Sequence, residues 1–275
     1  MAWWRRAIRL PAMIALLFLG LAITLVLFPF QNRRTHRRVI SWWSGLLLAA
    51  SGVVVQVQRD PQAPEWQAVG VNQGYLLLAN HLSWLDIFVI NRCSTARFVA
   101  KSEIRRWPLI GLLVARTGTL FLERGRRRAV HHMLHEIAAH IESPDLVAVF
   151  PEGTTSDGQY LLPFHGNLIQ AAISTGAPIL PVGLTYHEPD PANARQAGAL
   201  SDVALFIGST TFVESVWQII GHPRLIAKVQ VLAPIVPAAG VQRHEIADAA
   251  RAAISLATGL GTEDTVPEGL RASRA

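Results

Sequence analysis

Two hydrophobic patterns divide the chain. From Leu10 to Phe30 the sequence reads LPAMIALLFLGLAITLVLFPF, 21 positions without a charge. At ~1.5 Å rise per residue, a helix of that length spans roughly 30 Å, the thickness of a bilayer core. A cleaved signal peptide would carry a shorter apolar region, about 7–15 residues, with a small-residue site behind it. Here Gln31-Asn32-Arg33-Arg34 follows instead. A second run, Val39 to Val55 (VISWWSGLLLAASGVVV), opens on Trp42 and Trp43, placed as interfacial anchors are. The two runs predict a transmembrane hairpin, one span with a surface helix, or two helices dipping into one leaflet.

Past a polar linker containing Pro61 and Pro64, short apolar runs alternate with longer amphipathic ones. Strands are expected at Tyr75–Ala79, Arg97–Val99, Thr119–Leu122, Leu146–Phe150, Ile179–Thr185 and Leu225–Val231. Helices are expected near Trp84–Asn91, Leu109–Arg116, Arg127–Ile141, Leu168–Ser174 and Arg243–Thr258. Such alternation implies an α/β domain, a mixed and largely parallel sheet covered by helices, behind an N-terminal membrane helix or helical hairpin. The expected organisation is an anchoring segment over 1–58, a domain over 65–260 and a polar tail over 261–275.

Charge placement sharpens this picture. The 275 residues carry a formal net charge of +6. Seven arginines (Arg5, Arg6, Arg9, Arg33, Arg34, Arg37, Arg38) precede Arg59 with no acidic residue among them, and the remaining chain is close to neutral. A nucleic-acid binder spreads basic charge over its folded domain. An excess flanking the most apolar stretch points to anionic lipid headgroups instead. The one cysteine, Cys93, excludes a disulfide scaffold and any multi-cysteine metal site, and it reads as a small core residue.

Three stretches carry chemistry. In Asn80-His81-Leu82-Ser83-Trp84-Leu85-Asp86 a histidine suited to proton transfer near neutral pH is followed five residues later by a carboxylate that can orient it. On an ideal helix the two would lie roughly 140° apart. Pairing therefore needs His81 on the strand-to-helix turn and Asp86 in the first helical turn. Ser83-x-x-Asp86 also reads as a capping box, which explains Asp86 without catalysis. Next, Phe121-Leu122-Glu123-Arg124-Gly125 precedes Arg126, Arg127 and Arg128. Cations at a helix start are unfavourable against its dipole unless an anion is near. Third, Val149-Phe150 runs into Pro151-Glu152-Gly153-Thr154-Thr155-Ser156-Asp157-Gly158, a hydroxyl-rich loop able to hold an oxyanion or headgroup, or to serve as a plain turn.

These blocks, with Ile179-Leu180-Pro181-Val182-Gly183 after them, fall in the order of the four motifs of the glycerolipid acyltransferase family. The chain resembles that family, which includes the 1-acylglycerol-3-phosphate acyltransferases, from about Leu77 to Tyr186. The resemblance implies His81 as general base and Asp86 as its partner. By the same carry-over Arg124 contacts an acceptor phosphate, Glu152, Gly153, Thr154 and Thr155 line the acceptor site, and Pro181 shapes the fourth block. It further implies direct transfer of a fatty acyl group from acyl-CoA or acyl carrier protein, with no other cofactor, to the free hydroxyl of lysophosphatidate. The expected setting is the cytoplasmic face of the inner membrane. One departure stands out: many phosphate-acceptor members have arginine where this chain has Thr155, which keeps lyso-ornithine lipid open as an acceptor. A catalytically silent lipid-binding protein of the same fold is the alternative of a different class.

His131, His132, His135 and His140 cluster on one expected helix. His135-Glu136 and His140 miss the metalloprotease spacing by one residue, so no metal site is expected. Trp3 and Trp4, like Trp42 and Trp43, flank the apolar runs as an interfacial belt would.

Overall fold

The computed structural model describes residues 2–123 and 127–262. Two helices open the chain, α1 (Trp3–Ala22) and α2 (Arg33–Ser51), joined through a π-helical and a 3-10 turn, and they lead into strand β1 (Val53–Arg59). Then come β2 (Tyr75–Ala79), α3 (Asp86–Cys93), β3 (Arg97–Lys101), α4 (Ile110–Arg116), β4 (Leu120–Leu122), α5 (Arg127–Ile141) and β5 (Leu146–Val149). The remainder is β6 (Tyr160–Leu161), α6 (Gln170–Thr175), β7 (Ile179–Pro189), β8 (Ala197–Leu200), α7 (Phe212–Gly221), β9 (Leu225–Val231), α8 (Arg243–Thr258) and β10 (Gly261–Thr262).

The main sheet has the order β1-β9-β7-β2-β5-β3-β4, with β8 pairing β7. From β7 to β4 the strands run parallel, while β9 is antiparallel to β7 and parallel to β1. Every residue of β2 is buried, as expected of a central parallel strand covered on both faces. Alternate side chains divide between two cores. Leu77, Ala79, Ala148 and Leu180 meet α2 and α3 on one face, and Leu76, Leu78, Val147 and Ile179 meet α5, α6 and α8 on the other. The mixed, largely parallel sheet covered by helices is the architecture the sequence implied.

The second apolar run is not one membrane-length element. It is divided at Gly52, whose φ of +80° closes α2 in a left-handed cap. Beyond it three β-branched valines and the Gln56-Val57-Gln58 alternation favour a strand. β1 pairs with β9 from Val53↔Leu225 to Arg59↔Val231. The boundary expected at residue 58 therefore falls inside a strand of the main sheet. Trp43 is likewise no interfacial anchor: it is buried and its indole N–H donates to the Leu16 carbonyl at 2.8 Å. Trp42 remains exposed. Trp3–Phe30 is the one stretch among the described residues long and apolar enough to cross a membrane, with only 22% of its most apolar window buried.

Arg5, Arg6 and Arg9, expected to face headgroups, have protein partners. Arg9 donates to the carbonyls of His222 (2.5 Å), Pro223 (2.9 Å) and Ile220 (3.2 Å), and Arg6 to that of Trp217 (3.2 Å). They satisfy the unpaired carbonyls at the α7 C-terminus and complement its dipole. Helix α7 itself, absent from the sequence-based expectation, starts at a capping box formed by Thr211 and Glu214. The expected tail contributes Gly261 and Thr262 to β10, which pairs with β6.

Candidate active site

The carboxyl ends of the neighbouring parallel strands β2 and β5 lead into the first and third motifs. After Ala79 the chain leaves the β2 strand, and the buried Asn80 side chain takes over the pairing with β7. Its amide donates to the Leu184 carbonyl at 2.9 Å and accepts from the Leu184 N–H at 2.7 Å. This frees the backbone to turn while keeping β7 satisfied. His81 follows on the turn, and Asp86 is the first residue of α3.

The Asp86 carboxylate is fully buried and saturated with donors. Its Oδ2 accepts from His81 Nδ1 at 2.8 Å and from the N–H groups of Leu82 (2.7 Å) and Ser83 (2.9 Å). Oδ1 accepts from the Tyr186 hydroxyl at 2.7 Å. Burial, and secondly the negative Asp86, push the Tyr186 phenol well above its ordinary value, so it stays a donor. Asp86 thus orients His81 and also reaches back to the Ser83 N–H. The reciprocal half of a capping box is not made: the Ser83 hydroxyl accepts from the Leu85 N–H at 3.3 Å, and α3 starts at Asp86 without a side-chain cap. With Nδ1 donating to Asp86, Nε2 is left without a protein hydrogen bond among the described residues, on a ring that is 21% exposed. The imidazole stacks on Phe150 at 4.0 Å, and Phe150 on Phe98 at 5.9 Å.

Glu152 holds the turn from the other side. Its Oε1 accepts from the His81 N–H at 2.7 Å and Oε2 from the Leu162 N–H at 3.0 Å. Burial pushes its carboxyl up to about 7; those two N–H groups pull it down, and Asp86 adds a further upward push. Its oxygens are taken by main-chain donors, so Glu152 fixes the position of His81. Gly153 turns the chain at φ +71°, and Ser156 N–H donates to the His81 carbonyl at 2.8 Å.

The remaining expected residues separate. Thr154 is exposed. The Thr155 hydroxyl donates to the Phe206 carbonyl, while the Phe206 N–H donates to the Leu82 carbonyl at 2.9 Å. A segment between β8 and α7 is thereby strapped across the first and third motifs. Pro181 is buried in β7 opposite Leu78, beyond the last β7–β9 rung at Val182↔Val231, where a missing N–H costs no ladder bond. Arg124 lies outside the described residues. His131 and His135 face each other at 4.5 Å on the exposed side of α5. Burial pushes the Cys93 thiol up to about 12, as suits a core residue.

Two contributors carried no role in the sequence reading, Asn80 and Tyr186. A buried polar residue at a strand end hints at the first. Nothing local marks the second, which reaches Asp86 across 100 residues.

The Acyltransferase family model matches residues 54–185. The lyso-ornithine lipid O-acyltransferase of Pseudomonas aeruginosa is 33% identical over 224 residues, covering 81% of this chain and 79% of that protein. The 1-acyl-sn-glycerol-3-phosphate acyltransferase of Neisseria gonorrhoeae is 34% identical over 214 residues, 78% and 77%. The crystal structure of the 1-acyl-sn-glycerophosphate acyltransferase PlsC from Thermotoga maritima has a TM-score of 0.62 at 18% identity over 93% of this chain and 96% of that one, a likeness of fold.

Proposed function

Since the chain belongs to the Acyltransferase family, we propose that it is a membrane-associated O-acyltransferase using His81 as general base on the hydroxyl of a lysolipid. The observation that carries this reading is the His81 Nδ1–Asp86 Oδ2 contact at 2.8 Å, with Nε2 unengaged. Asp86 fixes the tautomer in which Nε2 is the basic nitrogen and stabilises the imidazolium that forms. Nε2 takes the hydroxyl proton as the oxygen attacks the thioester carbonyl of acyl-CoA or acyl carrier protein. The C–O bond forms, the C–S bond breaks, and the imidazolium returns the proton to the departing thiolate. No acyl-enzyme is required, in keeping with the lack of a G-x-S-x-G elbow in the sequence.

Lysophosphatidate is the acceptor implied by the motif order, giving phosphatidate, and Arg124 is the cation assigned to its phosphate. A second reading, acylation of lyso-ornithine lipid, is favoured by Thr155: its hydroxyl is spent on Phe206, where an arginine would offer a phosphate contact. The exposed apolar surface of Trp3–Phe30 supports attachment to the inner membrane, with the catalytic site on the cytoplasmic face, where both lipid and thioester are at hand. Membranes carrying wild-type or His81→Ala protein, offered each lysolipid with one thioester donor, test the proposal. Turnover by wild type alone supports it and names the acceptor; equal turnover by the variant refutes the base assignment.

A further inference from the structure

Three of the seven early arginines are explained by the α7 carbonyls they cap. The other four open α2, where cations work against the helix dipole. Of these, Arg33 pairs with Asp145 at 2.5 Å, and Arg37 donates to the carbonyls of Gly70 (2.5 Å) and Val69 (2.8 Å). Arg34 and Arg38 are exposed and make no hydrogen bond or ion pair among the described residues. The guanidinium groups of Arg92 and Arg116 are likewise exposed and without such a partner, while the Arg92 carbonyl accepts from the Ser41 hydroxyl at 2.9 Å.

All of them line a cavity of about 1190 Å³ at the amino ends of the parallel strands, between α2, the α3–β3 turn, the start of β4 and the approach to β5. Seven arginines face it, and Asp145 is the one carboxylate among its lining residues. That carboxylate already serves Arg33, Arg97 and His140. Burial lowers the Arg37 guanidinium below its ordinary value; Asp145 opposes this and Arg33 adds to it. The excess positive charge is therefore crowded and unmatched by protein acids. Part of its wall is apolar: Phe28 and Ile40, both buried, line it beside Leu46 and the exposed Trp42. Phe30, 84% exposed, stands at the adjoining turn between α1 and α2. Strand β2 separates this cavity from His81, so it is a different site from the one built around His81 and Asp86.

We propose that this cavity binds the phosphate of an anionic phospholipid, with the guanidinium groups on the headgroup and the acyl chains against the apolar wall. Arginine matches phosphate oxygens bidentately. A nucleotide phosphate of a CoA thioester has the same charge chemistry, but the apolar wall favours a lipid.

The test measures binding of soluble dihexanoyl phosphatidylglycerol and dihexanoyl phosphatidylcholine to the detergent-solubilised full chain. Wild type and His81→Ala are expected to bind phosphatidylglycerol about tenfold or more tightly than phosphatidylcholine, and Arg34→Gln/Arg38→Gln/Arg116→Gln to lose that preference. The three side chains are exposed, so the variant keeps its fold; if its circular dichroism differs from wild type, Arg34→Gln/Arg38→Gln gives the same reading. An undiminished preference in the variant, equal binding of the two lipids, loss of binding in His81→Ala, or displacement of the lipid by coenzyme A would each overturn the proposal.

Discussion

At the carboxyl ends of β2 and β5, Asp86 and Glu152 are buried, and each of their four oxygens has a donor at 2.7–3.0 Å. At the amino ends of the same strands one acid, Asp145, stands among seven arginines, four of whose guanidinium groups have no hydrogen-bond or ion-pair partner among the described residues. One edge is saturated and held by main-chain donors, which resist displacement; the other holds surplus charge on long side chains that can rearrange. Fixed geometry suits a proton transfer that demands sub-ångström placement. Surplus mobile charge suits a headgroup that arrives with its own negative charge.

The largest test of this contrast removes the base. His81→Ala is expected to lower acyl transfer by ~10²–10⁴-fold with the fold intact, read as kcat with saturating lysolipid. Asn80→Ala attacks the scaffold instead. It leaves the Leu184 N–H and carbonyl unsatisfied in the core and should cost about 2–5 kcal/mol, measured by denaturant unfolding. A smaller effect reads out as pH dependence. With Glu152 held at about 7 in the fold against an ordinary 4.5, the folded chain binds the extra proton between those values. Its contribution is full below pH 4.5 and is lost as pH rises to 7, a change on the order of 3 kcal/mol at most. Glu152→Gln should flatten that slope in thermal unfolding between pH 4 and 8; an unchanged slope would show that Glu152 does not titrate there. Tyr186→Phe removes one of four donors to Asp86 and should lower kcat about tenfold with KM little changed, since Tyr186 is a positioning residue. Smallest of all, Arg34→Gln/Arg38→Gln should leave turnover of a soluble lysolipid in detergent within about twofold, because exposed, unpaired charges contribute little to the fold. A tenfold loss there would erase the distinction between the edges.

How legible these regions were in the sequence differs for physical reasons. β2, β9, α5 and α8 were readable to the residue, because each is a self-contained run with one period and clear breaks. Helical spacing stated what a His81–Asp86 pair would require, a turn for His81 and the first helical turn for Asp86, and the structure has both. β1 was not readable: its valines continue an apolar helix, and the partner that makes them a strand lies at the other end of the chain. For α7 the information was present, since Thr211-x-x-Glu214 is a capping box ahead of an apolar run. Tyr186 and the strap through Phe206 depend on contacts between distant segments and have no local trace.

The pairing of β1 with β9 also sets an order of assembly. A ribosome making ~5–20 residues per second produces β1 about 170 residues, and so roughly 10–30 s, before the strand that completes it. During that interval the helical hairpin and a bare valine-rich edge are out of the ribosome together, and an early partner for apolar surface of that kind is a lipid bilayer. The sheet cannot close over α1 and α2 until β9 arrives to pair with β1. Removing residues 1–58 would take away nearly all of an edge strand along with the apolar helix α1.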